Sequence, residues 1–95
     1  MITFILGEDR HVRYKVESDR KCDYIAIKEA SFQLLYDGQE EASGTCEVIH
    51  EEGEGGCYVD AKLAPQKKSG LYELEITISV ADEIIKHREE MRVIG

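Results

Sequence analysis

The residues best equipped for chemistry in this chain lie between His50 and Cys57, in the stretch HEEGEGGC. An imidazole, carboxylates and a thiol this close together could hold a soft divalent metal, with His50, Glu52, Glu54 and Cys57 as candidate ligands. Zinc needs three or four donors that the fold aims at one point. Here only His50 and Cys57 are aimed predictably, from the ends of two strands, whereas Glu52 and Glu54 belong to a loop rich in glycine. Calcium is served no better, since EEGEGG lacks the alternating Asp/Asn ligands and terminal glutamate of an EF-hand.

Catalysis meets a similar obstacle. A cysteine nucleophile needs a base and a third group that orients the base, and Cys57 with His50 supplies at most the first two. The GEGG run is followed by no GK[ST] and opens no predicted helix, so it is not a phosphate loop. The sequence therefore predicts no catalytic residue, no cofactor and no metal; the stretch reads as the solvated tip of a hairpin. Pairing 45–50 with 57–62 across it sets His50 opposite Cys57, Val48 opposite Val59 and Cys46 opposite Ala61, with the mostly apolar members on one face.

The elements that must position this tip read as strands. In LYELEITISV (71–80), Tyr72, Leu74, Ile76, Ile78 and Val80 share one face while Glu73, Glu75, Thr77 and Ser79 share the other, the signature of a half-buried antiparallel strand. HVRYKVES (11–18) repeats it, with Val12, Tyr14 and Val16 inward and His11, Arg13 and Lys15 outward. ASFQLLYDGQ (30–39) aligns Ala30, Phe32, Leu34 and Tyr36 and closes on Asp37-Gly38, a pair that tolerates the positive φ of a type I′ turn.

ITFIL (2–6) is a first short strand. IIKHREEMRVI (84–94) is read as a last strand, with Ile85, His87, Met91 and Val93 on one face, against a helical alternative capped by Asp82. Glu89 falls on that same apolar face. About seven short strands in 95 residues amount to one all-β domain over 1–95, an antiparallel β-sandwich.

The net charge of −8 is confined to the middle of the chain. Acids and bases balance over 1–36 and again over 62–95, while 37–61 holds Asp37, Glu40, Glu41, Glu47, Glu51, Glu52, Glu54 and Asp60 and no lysine or arginine. A field of that sign repels phosphate backbones, so nucleic acid is not an expected partner. No apolar run approaches the length of a membrane span, and the first residues lack the pattern of a secretory signal. Three cysteines, Cys22, Cys46 and Cys57, match no CxxC or zinc-knuckle spacing and are expected to be reduced thiols in a cytoplasmic protein.

The strand ending in ILGED at 5–9, the alternating RYKV after it, ASFQLLYDG and then SGLYELEI at 69–76 come in an order that resembles the immunoglobulin-like β-sandwich domains of tailed-bacteriophage structural proteins, the N-terminal domain of the baseplate upper protein among them. The resemblance implies a non-enzymatic structural or adaptor module that contacts a protein partner or itself, in a virion if phage-encoded. It also implies structural roles for Gly70 and Tyr72, the tyrosine hydroxyl bonding back to the corner backbone, beside the turn residues Asp37 and Gly38. The alternative carried from the residues alone is a small-ligand or divalent-metal site at the His50–Cys57 loop.

Overall fold

The computed structural model describes residues 1–16, 27–50, 57–64, 68–80 and 83–95, and the statements below concern these. They form eight strands: β1 (Ile2–Ile5), β2 (Arg10–Val16), β3 (Ile27–Tyr36), β4 (Gln39–Thr45), β5 (Glu47–His50), β6 (Cys57–Leu63), β7 (Gly70–Val80) and β8 (Glu83–Ile94). No helix occurs among them, so none is long and apolar enough to cross a membrane.

Five strands make one sheet in the order β1-β8-β7-β3-β4, and three make a second in the order β2-β6-β5. The segment 84–94 is a strand, paired with β7 from Ile84 to Val93. Two expectations need correction. The larger sheet is mixed, because β1 runs parallel to β8, Ile2 opposite Met91 through Ile5 opposite Ile94. Side-chain alternation is the same in either direction, so it carries no information about strand polarity.

The second correction concerns Cys46. It does not face Ala61, because the β5–β6 ladder begins at Glu47 opposite Asp60. The Cys46 amide instead donates to the Ala30 carbonyl at 2.8 Å, and Cys46 is the step between β4 in one sheet and β5 in the other. The eighth strand is β4, whose QEEASGT carries little apolar alternation. It folds back on β3 through Asp37 and Gly38, with φ of 52° and 77°, the positive values that a two-residue hairpin loop of type I′ requires.

The two sheets share one core. Phe4, Ala30, Leu34, Tyr72, Leu74, Ile76, Met91 and Val93 from the larger sheet are clustered with Val59, Ala61 and Leu63 from the smaller. The registers explain the clustering: Leu34 pairs with Leu74, Phe32 with Ile76 and Tyr72 with Met91, so the apolar alternation of β3, β7 and β8 falls on one side. Removing that area from water is the main force holding the layers together.

Candidate functional site

The hairpin of β5 and β6 brings the backbones of His50 and Cys57 opposite each other, and Val48 opposite Val59. The His50 side chain, Glu52 and Glu54 lie outside the described residues. Cys57 faces the core at 1% exposure, and burial pushes its thiol above the usual cysteine value. Metal coordination needs the thiolate, which this placement disfavours. Cys46 is likewise a buried free thiol, raised to about 11 by burial and by the charge of Asp60. Among the described residues, no group of three or more His, Cys, Asp or Glu side chains is arranged to hold a metal ion.

Three polar clusters are assembled by the fold, two by cross-strand pairing and one between the sheets. On the outer face of the smaller sheet, Arg13 of β2 pairs with Asp60 of β6. His11 Nδ1 lies 2.5 Å from Asp60 Oδ1 and Arg13 Nε donates to Oδ2 at 3.1 Å. Asp60 is buried beneath these partners. Burial alone raises its pKa, but the hydrogen bonds and charges of His11 and Arg13 together outweigh that and hold the carboxyl below its ordinary range. A carboxylate that orients an imidazole is half of a catalytic relay; among the described residues no hydroxyl or thiol is hydrogen-bonded to His11.

The second cluster bridges the sheets. The Tyr14 hydroxyl of β2 donates to Glu89 Oε2 of β8 at 2.8 Å, and its ring meets His87 edge-on at a centroid distance of 5.0 Å. This explains a glutamate on the otherwise apolar face of 84–94. Desolvation of Tyr14, then the bond to Glu89, raise the phenol far above its usual value. The third lies on the outer face of the larger sheet, where Glu75 accepts from Arg88 at 2.8 Å and from Lys86 at 3.3 Å. These two donors hold the Glu75 carboxyl below its usual range.

At the head of β7, the Tyr72 hydroxyl donates to the Lys68 carbonyl at 2.6 Å, and its ring meets Tyr36 edge-on at 4.9 Å. Gly70 has φ of 139°, and a Cβ there would lie 2.9 Å from the Tyr36 ring. Close by is Glu41, the extra residue where the β3–β4 register slips between Leu34 and Leu35. A bulge re-aims the side chains around it, and both Glu41 carboxylate oxygens are buried without a hydrogen-bond partner.

None of these clusters was visible as a motif. Asp60 is 49 positions from His11, and Glu89 is 75 from Tyr14; the one available signal was a charged residue at an inward position, as with Glu89. The outer face of the larger sheet carries a shallow depression of ≈ 480 Å³ lined by Ser31, Gln33, Ser43, Thr45, Glu75 and Lys86 among others. A smaller one of ≈ 210 Å³ lies beside Leu35, Leu71, Glu73 and Glu90.

No protein-family model matches the chain, and no curated protein matches it. A similar solved structure is the crystal structure of an engineered protein, with a TM-score of 0.71 and 13% identity over 99% of this chain. The chain spans 18% of the length of that protein. At such identity the likeness is one of fold alone.

Proposed function

We propose that this chain is a non-enzymatic structural or adaptor module, an immunoglobulin-like sandwich that docks an extended segment of a partner protein along the uncovered edge of β8. The carrying observation is the mismatch in length between β1 and β8. β1 covers only positions 91–94, so along 83–90 the edge of β8 away from β7 has no partner strand among the described residues. That edge displays Ile84 at 70% exposure and Ile85 at 45%. A long, partly apolar free edge is a template for strand addition.

Strand order, the step between sheets at Cys46 and the Tyr72 corner all support the immunoglobulin-like reading. The resemblance to tailed-phage structural domains makes a virion or tail component the setting we propose, checked by whether neighbouring genes encode capsid and tail proteins. The edge chemistry describes its guest: apolar side chains against Ile84 and Ile85, and an acidic one against Lys86 and Arg88, which already face Glu75.

Selection of random extended peptides displayed on phage tests the reading. Enriched sequences are expected to combine apolar and acidic residues and to lose binding to Ile84→Lys and Ile85→Lys variants of unchanged circular dichroism. An absence of enrichment, or binding that survives both substitutions, overturns it.

A further inference from the structure

We propose that two copies of this chain associate face to face through the outer surface of the larger sheet at its β1 end, a face distinct from the backbone edge of β8 although Glu90 borders both. The registers place Leu71 opposite Arg92 and Arg92 opposite Thr3 in one row, Ile94 opposite Ile5 in the next, and Leu35, Glu73 and Glu90 in the row on the other side. Leu35, Leu71, Ile94 and Ile5 thus form a diagonal apolar stripe across four strands. Ile5, Leu71 and Ile94 are 56%, 60% and 46% exposed, on a sheet face whose centre is otherwise polar.

Two features of this surface complement each other, as a two-fold contact demands of a single patch. Ile94 and Ile5 stand at one end of the stripe, and the ≈ 210 Å³ depression lined by Leu35, Gly38, Leu71 and Glu90 lies at the other. A two-fold axis through Leu71 sets the exposed isoleucine end of each copy over the hollow of its mate. Charge follows the same symmetry. Arg92 and Glu90 project from the same face of β8, two positions apart, and among the described residues neither makes an ion pair or hydrogen bond. Rotation about that axis carries the Arg92 guanidinium of each copy toward Glu90 of the other, giving two reciprocal pairs at the rim of an apolar centre.

The patch is small, so the affinity belongs to the weak class, with a dissociation constant of about 10–100 µM. Sedimentation velocity and small-angle scattering from about 10 µM to about 1 mM read it directly. The wild-type chain is expected to pass from monomer to dimer over that range. Leu71→Glu is expected to weaken the dimer more than tenfold with unchanged circular dichroism, since Leu71 is exposed. Arg92→Glu is expected to weaken it as well, and the exchange Glu90→Arg with Arg92→Glu to restore it, which a general loss of folding could not do. Ile84→Lys is expected to leave it intact.

A monomer at every concentration overturns the proposal. So does a dimer indifferent to Leu71→Glu, or a charge exchange that fails to restore association. Peptide capture at the β8 edge is read separately, so failure of one proposal is distinguishable from failure of the other.

Discussion

At the scale of single residues, the ionisable groups make the sharpest predictions. The folded state lowers the Asp60 pKa from its ordinary value of 3.8. A lowered carboxylate stabilises the fold above the unfolded pKa and loses that contribution as pH falls through the folded one. Chemical denaturation followed from about pH 5 to about pH 2 is expected to show stability falling with acid, and Asp60→Asn to flatten part of that slope. Glu75, lowered by Arg88 and Lys86, contributes to the same slope.

Tyr72 works at the other end of the scale. Burial, and after it the neighbouring Glu41 carboxylate, raise it to about 12. A raised group stabilises fully below its unfolded pKa of about 10 and loses that contribution as pH rises toward the folded value. Alkaline destabilisation should therefore begin near pH 10, and Tyr72→Phe, which removes the bond to Lys68, is expected to cost about 1–2 kcal/mol at neutral pH. Glu41 itself keeps a buried carboxylate without a hydrogen-bond partner. Glu41→Gln is expected to lower the Tyr72 pKa in spectrophotometric titration, because the Glu41 carboxylate is among the causes that raise it. Zinc is expected to leave the midpoint of the wild-type chain unchanged, because Cys57 is held as a buried thiol.

At the scale of elements, turns and edges were unequally legible. Asp37-Gly38 announced its own hairpin, since few residue pairs adopt positive φ twice in succession. The arm that follows it, β4, carries no comparable signal because this edge strand buries few residues: Ala42 is exposed, Gly44 is half-buried, and Glu41 interrupts the alternation as a bulge. The inward Glu89 made 84–94 ambiguous until Tyr14, on another sheet, supplied its partner. Gly70→Ala tests the corner that starts β7: with φ of 139° and the Tyr36 ring 2.9 Å from any Cβ, the change is expected to cost more than about 1 kcal/mol in urea denaturation.

For the whole molecule, a core drawn from both sheets implies one cooperative unit. Leu74→Ala, at the centre of the larger sheet and fully buried, is expected to cost about 2–5 kcal/mol. The loss should appear equally by circular dichroism and tyrosine fluorescence, since neither sheet keeps a core of its own. Among the described residues, sequence alone determined the all-strand character, the inward sets of 11–16, 30–37 and 71–80, and the hairpin register at His50 and Cys57, because period-two alternation and turn chemistry are local properties of the chain. Only the tertiary structure decided the parallel pairing of β1 with β8, the step between sheets at Cys46, and the meeting of His11, Arg13 and Asp60. Those depend on which distant strands lie side by side, and side-chain alternation is blind to neighbour, direction and charge partner alike.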